Sequence, residues 1–459
     1  MSAILELPTR LQIFCQRFKD GFRTKTRDTG HYVFPYLSGL LRLNNDKTMT
    51  NIAREAEIPS QNMQQFLSDS PWSEQNPIVQ VQDEISARPE FQKGSVLIID
   101  ESADKSGQHK AGSSRQHNGN LGKIEQSQVG VFAGLVNNGH HCWIDGQLYL
   151  PEAWFSEKFA QARQKVGLPE QVVFQTKIQI AAELIKNAHR QGVPFEAVDF
   201  DTLYGRNSWL RDELDKEQIE YYGDVPSNST VFLERPLIHW PVTKKGVRAK
   251  KPRVIGLSYQ VQQLVYKVER WHTITIRPNE RGHLIADFAR FRVWTVREDG
   301  SLREEWLLIR REHEKEDYTY TLSNAPTDCP LEVMAERKCQ RYFIERSNQD
   351  SKSEIGWADF RGIKYRGWLH HLAFTIMASW FVLETKLDWE QQFSRDPTLI
   401  EVYETDVLPK LSVANVRTLL QAAMPLRQLS PEQAIELVIE HLDNRTKSRK
   451  SRLKTRFRR

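Results

Sequence analysis

The feature that most constrains the fold is an apolar run that ends on an acid. In GSVLIID, residues 94–100, Val96, Leu97, Ile98 and Ile99 lead directly into Asp100. A run this short and this apolar predicts a buried strand that delivers a carboxylate at its C-terminal edge. QVGVFAGLVNN and HHCWIDGQLYLP predict two more strands, joined through Asn-Asn-Gly turn chemistry. TKIQIAAELIKNAHRQG then predicts a helix, with Ile178, Ala181, Ala182 and Ile185 on one face and Gly192 at its end. VPFEAVDFD predicts the next strand and NSWLRDELDKEQI the next helix.

Three strands, a helix, a strand and a helix, in that order, predict an α/β fold with a ribonuclease-H-like core. A chain of 459 residues is too long for one ordinary core, and its texture divides it. Residues 1–90 predict a helical region, 91–224 the first part of the core, and 225–328 a mostly β insertion rich in β-branched and aromatic residues. Residues 329–390 predict the helical second part of the core, 391–444 a helical C-terminal region, and 445–459 a basic tail. Within the first region, TMTNIAREAEIPSQNMQQFLSDSPW predicts two short helices broken at Ile58-Pro59, with Ser60 as cap of the second. A helix-turn-helix of this kind presents Gln61, Asn62 and Gln65 to DNA base edges. An ordinary helical hairpin packed on a neighbour fits the same pattern.

Charge points the same way. Nine of the 64 Lys and Arg residues lie in 445–459, which holds no acid, so the rest carries 55 bases against 59 acids. A positive excess gathered in one tail is how a flexible phosphate-seeking arm is built, although a solubilising terminus has the same composition. Cys15, Cys142, Cys329 and Cys339 are scattered without a C-x-x-C pair, which argues against a disulfide framework or a structural zinc site and suits a reducing cytoplasm. No apolar run approaches the ~20 residues that span a bilayer, and the N-terminus does not read as a signal peptide.

Three acids occupy positions that phosphoryl transfer needs. Asp100 ends the first core strand, Asp201 ends the fourth, and Glu345 lies on the helix after the insertion. Taken singly each is an ordinary turn, cap or surface acid. Together they are hard oxygen ligands suited to Mg²⁺, with Mn²⁺ as a substitute, in a two-metal site. Arg341 and Lys352 stand at −4 and +7 from Glu345, a spacing that stacks all three on one helix face. Such an acid between two cations suits a metal ligand beside a held phosphate; a salt-bridged surface face has the same spacing.

The R-x3-E-x6-K spacing resembles the Y-R-E-K signature of bacterial cut-and-paste insertion-sequence transposases, the insertion-sequence-four superfamily. The resemblance runs from about residue 95 to 385, through IDESADKSGQHKAGSSRQHNGNLGKIEQSQVGV, FDTLYG and IERSNQDSKSEIGWADFRGIKYRGWLHHL. It implies a DDE transposase with Asp100, Asp201 and Glu345 as catalytic and metal-binding triad, and Arg341 and Lys352 on transposon-end phosphates. It also implies Mg²⁺-dependent cleavage at element ends followed by strand transfer, on terminal inverted repeats and target DNA, by a homodimer assembled on DNA in the bacterial cytoplasm. Lys338 stands where the signature has Tyr and would meet a phosphate as a point charge. Glu101 stands where related sequences often have a second Asp, but the apolar run ends on Asp100. Asp199 shares a strand face with Asp201, and the resemblance requires the Asp that directly precedes TLYG.

Other features carry less. GNLGK, residues 119–123, lacks the spacing of a phosphate loop and predicts a hairpin loop. His370 and His371 lie in an apolar helix and are expected to pack or reach backbone groups. Trp271, Trp294 and Trp306 are candidates for stacking on an extruded base, though most Trp residues in β segments are core. Two alternative readings share these acids or this framework: a catalytically inactive DNA-binding derivative, and a ribonuclease-H-like nuclease without joining activity.

Overall fold

The computed structural model describes residues 2–118, 122–242, 252–279, 282–297, 299–313, 315–393 and 411–456. Helices α1 (Ser2–Leu5), α2 (Leu7–Phe18), α3 (Val33–Arg42), α4 (Met49–Glu55), α5 (Ser60–Ser68) and α6 (Gln75–Ser86) precede the first strand. Thr48 caps α4 by accepting from the Asn51 amide at 3.3 Å, and Glu57 turns the chain at φ 56° before α5. Ser60 is the first residue of α5 rather than its cap: Pro59 takes the cap position, where its fixed φ leads the chain into the helix without a side-chain bond. Met63, Phe66 and Leu67 face inward, and Gln61, Asn62 and Gln65 face solvent.

The core follows as β1 (Val96–Lys105), β2 (Ser114–Asn118), β3 (Lys123–Asn137), β4 (His140–Tyr149), α7 (Ala160–Val166), α8 (Lys177–Arg190), β5 (Ala197–Phe200), α9 (Thr202–Gly205), α10 (Ser208–Lys216) and β6 (Tyr221–Val225). β1 is paired antiparallel to β3 on one side and parallel to β5 on the other, and β5 is parallel to β6. This explains why Val96–Ile99 are all apolar: both faces of the strand are covered. Asn138 and Gly139, both at positive φ, make the β3–β4 turn. Thr176 and Gln179 form a reciprocal capping box at the start of α8. Residues 119–121 of the expected GNLGK hairpin lie outside the described residues, but Asn118 and Lys123 pair across it.

The β-rich stretch contributes β7 (Thr230–Phe232), β8 (Leu237–His239), β9 (Arg253–Ile255), β10 (Ser258–Gln260), β11 (His272–Asn279), β12 (Gly282–Val296), β13 (Leu302–Glu312) and β14 (Tyr318–Ser323). Its last strand pairs antiparallel with β6, so the insertion extends the core sheet to twelve strands among the described residues. YQVQQLVYKV is only partly strand: Val261–Lys267 forms a 3₁₀ helix, with Val261 and Leu264 buried one turn apart and Gln260 paired with Gln263 at its start.

Helices α11 (Leu331–Cys339), α12 (Tyr342–Asp350), α13 (Tyr365–Phe393), α14 (Val413–Ala423) and α15 (Pro431–Arg456) complete the described chain. The segment expected as one catalytic helix is broken at Gln340–Arg341 and ends in a π-helical turn, Ser351–Ile355. α13 joins the N-terminal helices to the sheet through one apolar core. Phe374 packs edge-on to Tyr36, while Trp368 and Leu372 lie against the β3–β4 hairpin. The basic tail, expected as a flexible arm, continues α15 as far as Arg456. Lys, Arg and Leu are strong helix formers, and no Gly or Pro interrupts them.

Candidate active site

Strand register decides which acids meet. Asp100 lies opposite Phe132 in β3, so both point to the face covered by α12 and α13. Glu101, one residue on, points to the other face, where Lys177 at the start of α8 holds its carboxylate at 2.7 Å. Parallel pairing of β1 with β5 ends at Ile99–Phe200, leaving Asp100 and Asp201 side by side just past that edge.

Asp201 is the N-cap of α9. Its Oδ1 accepts from the Leu203 amide at 2.8 Å and the Tyr204 amide at 3.4 Å, which leaves Oδ2 facing Arg341 at 3.9 Å. The TLYG sequence serves this cap. Tyr204 is buried, and Gly205 lies so close to the Gly223–Asp224 backbone that a Cβ would overlap the Asp224 carbonyl. On the opposite side of the site, Gly134 in β3 leaves room for Ile344, letting α12 settle onto the sheet.

α12 carries a row of residues across the two acids. Arg341 is its N-cap and reaches Asp201 and, at 3.7 Å, Asp224. Asn348 donates from Nδ2 to Asp100 Oδ2 at 3.0 Å. Glu345 lies between them, four residues after Arg341 and three before Asn348, and its side chain is exposed. Burial pushes the Asp100 carboxyl up to about 7; Arg341 pulls it down and the neighbouring Asp201 carboxylate adds to the rise. Lys352, on the π-helical turn, donates to the Ala103 carbonyl at 2.9 Å and lies 3.0 Å from Asp104.

Lys338 is placed differently from a surface phosphate ligand. It is buried, with its ammonium 2.9 Å from Asp199 and 3.2 Å from Asp224. Asp199, the competitor of Asp201 in the sequence, is therefore committed to an internal ion pair. Burial pushes its carboxyl up to about 7 against the pull of Lys338. Asn348 and Asp224 carry no mark in the sequence reading. Asn348 was accessible through its one-turn spacing from Glu345, whereas Asp224 became visible only when β6 aligned beside β5.

His370 and His371 are buried and bond inward. His370 Nδ1 and Nε2 face the Leu67 and Trp72 carbonyls at 2.8 and 3.0 Å. His371 lies between the Tyr36 hydroxyl at 2.9 Å and the Trp357 carbonyl at 3.3 Å. Trp271, Trp294 and Trp306 each have a guanidinium over the ring, from Arg311, Arg235 and the pair Arg290 and Arg292 respectively.

Two strand-end carboxylates thus stand in electrostatic contact, and α12 reaches both through Arg341 and Asn348 while carrying Glu345 on its exposed side. The DDE superfamily endonuclease family matches residues 17–283, which include Asp100, Asp201 and TLYG. The chain belongs to this family. It is also similar, at 29% identity over 373 residues, to a protein described as a probable transposase for insertion sequence element IS701 from Microchaete diplosiphon. That similarity covers 77% of this chain and 81% of the relative.

DDE endonucleases use divalent metal ions, and the residues here fit one. Asp100 and Asp201 repel one another at the sheet edge, Asp100 resists ionisation, and Asp201 keeps Oδ2 outside its protein hydrogen bonds. Among the described residues, no three carboxylate, imidazole or thiolate groups are gathered around one point. Asp100 and Asp201 form the coupled pair, and Glu345 stands apart from them on α12. No described helix is long and apolar enough to cross a membrane.

Proposed function

We propose that this DDE endonuclease is an insertion-sequence transposase, which cuts DNA at the ends of its element and joins them to target DNA. The observation that carries this reading is the span of α12: Arg341 reaches Asp201, Asn348 reaches Asp100, and Glu345 lies on the same helix between them. Asp100, Asp201 and Glu345 would hold Mg²⁺, or Mn²⁺ in its place, and the ion would supply charge neutralisation at phosphorus and activation of the attacking oxygen. Arg341 and Lys352 would hold the phosphate chain; Lys352 would exchange Asp104 for a phosphate oxygen. Lys338 would act from beneath, fixing Asp199 and Asp224 so that β5 and β6 hold Asp201 in place. In the first step water adds at phosphorus and the 3′ oxygen leaves as a hydroxyl. In the second, that hydroxyl attacks another phosphodiester and displaces its 3′ oxygen.

Base reading falls to α5. Gln61, Asn62 and Gln65 are exposed side by side, while Met63 and Phe66 anchor the helix behind them. Asn62 and Gln65 also line a cleft of about 410 Å³ shared with Arg27, His31 and Tyr32. A dimer on DNA is supported by α15, where Ile435, Val438, Ile439 and Leu442 form an exposed apolar stripe. The deciding experiment is Mg²⁺-dependent cleavage of a labelled duplex carrying the element's terminal sequence, by the native chain and by Glu345→Ala. The variant should bind the duplex and fail to cut it. Undiminished cleavage would remove Glu345 from the site, and binding without cleavage by both proteins would favour an inactive DNA-binding derivative.

A further inference from the structure

Beside α12, between it and the extended sheet, lies a cleft of about 270 Å³. Arg277, Arg310, Arg341 and Lys338 line it, against two carboxylates, Asp224 and Glu345. Lys338 is neutralised by Asp199 and Asp224, so the cleft keeps three guanidinium groups, of which Arg341 already faces Asp201 and Asp224. In each of these, Nε is buried without an acceptor. Arg277 and Arg310 make no ion pair at contact distance among the described residues, unlike other arginines of the same sheet extension. Arg292 is paired with Glu304, Arg297 with Asp215, and Arg311 with Asp287. A desolvated donor with no acceptor costs free energy, and two on the strands that flank β12, converging on a third, mark a place built for an anion.

The backbone shows how Arg277 comes to be there. The β11–β12 register shifts between Thr275 and Arg277, and a bulge of this kind re-aims the side chain that follows it. The Arg277 guanidinium carbon lies 3.8 Å from the Tyr342 ring centre and 5.3 Å from that of Phe343, so the two rings of α12 hold it in a fixed plane. Arg310, opposite Thr319 in β14, approaches the same cleft from β13.

We propose that Arg277 and Arg310 form, with Arg341, a clamp for a backbone phosphate of the DNA duplex beside Glu345. This rests on the transposase reading and deepens it: the sheet extension takes part in holding the DNA strand next to the carboxylates. One phosphate bridged by planar guanidinium groups on both sides is fixed in direction as well as position, which is what in-line displacement at a neighbouring phosphorus requires.

The test uses the full chain and its variants Arg277→Gln, Arg310→Gln, the double Gln variant, and the double Lys variant R277K/R310K, each first checked by thermal melting. The affinity of a labelled duplex carrying the element's terminal sequence is measured between 50 and 200 mM salt. Loss of the one clamped phosphate should lower the slope of log affinity on log salt by about 0.9, so the wild type should lose roughly three- to fourfold more affinity over this range than the double Gln variant. The double Lys variant should recover the wild-type slope. A folded double Gln variant that keeps the wild-type slope overturns the proposal. Inorganic phosphate at constant ionic strength provides an arm independent of DNA: it should raise the melting temperature of the wild type and not of the double Gln variant. Phosphate stabilisation in a chain that neither binds nor cuts the duplex would overturn the DNA assignment along with the transposase reading, leaving a phosphate site of another use. A chain that cuts the duplex with no change of slope in the double Gln variant overturns the clamp alone.

Discussion

At the residue scale, the acids behave differently because their surroundings do. Asp100 sits in a desolvated place beside Asp201, and its raised folded pKa means that ionisation costs stability as pH rises from the unfolded value through about 7. Asp100→Asn removes that charge and keeps an oxygen for Asn348. At pH 8 without divalent ions, the variant should therefore be more stable than wild type by on the order of 1–3 kcal/mol, a gain that shrinks as pH falls below 7. Urea unfolding measures it, and the same variant should lose cleavage and the stabilisation that Mg²⁺ gives the wild type. His371 has the opposite sign. Burial pushes its ring down to about 3, so its neutral form contributes stability that is present above the unfolded value near 6.5 and lost as pH falls towards 3. His371→Gln should lower stability at pH 7, and the gap to wild type should narrow by about 1.4 kcal/mol per pH unit between 6.5 and 5. Taking the difference matters because buried acids such as Asp145, pushed up to about 7 by burial, respond to acid in the other direction.

At the scale of elements, α9 is four residues long and could not stand alone. It persists because Tyr204 is buried, Asp201 caps it, and Gly205 lets it lie against β6. The cap and a candidate metal ligand are thus the same carboxylate, and whatever moves the helix moves the site. Gly205→Ala places a methyl group into the Asp224 backbone and should cost about 1–3 kcal/mol. Cleavage should fall further than folding does, at temperatures where circular dichroism still shows a folded chain; unchanged cleavage would separate α9 from the site. The break at Gln340–Arg341 has a related effect. It turns Arg341 into a helix N-cap that faces the acids of β5 and β6, where an unbroken helix would have placed it one turn along a uniform face.

At the scale of the whole molecule, one sheet runs from the core into the β-rich extension, and α13 binds the N-terminal helices to the same apolar core. On the proposed function, DNA held at α5 and at the acids would be held by one continuous framework. The part left outside that framework is the exposed stripe of α15. If it is the contact between two copies on DNA, replacing Val438 and Ile439 by Glu should weaken dimerisation about a hundredfold or more, since each buried side chain contributes about 1.5–3 kcal/mol. Light scattering of the protein–duplex complex, with and without the substitutions, gives the answer. A complex that stays dimeric in the variant would place the contact elsewhere.

Much of this is legible in the sequence itself. The strands at Val96–Ile99 and Ala197–Phe200 follow from short apolar runs, α8 from its periodicity, and the β3–β4 turn from Asn138-Gly139, because these signals act over a few residues. The grouping of Asp100, Asp201 and Glu345 rested on a spacing and a resemblance. Of the three, the fold brings the first two together and leaves the third apart from them on α12. What no local pattern could supply was register. Pairing of β1 with β3 and β5 turns Asp100 towards α12 and Glu101 towards Lys177; alignment of β6 brings Asp224 to Lys338 and takes that lysine out of solvent; the bulge in β11 delivers Arg277 to Tyr342. Local sequence chooses the elements because their hydrogen bonds and periodicities close within a turn or a strand. The partners of a charged side chain are chosen by residues a hundred or more positions away, and only the assembled sheet decides which of them are near.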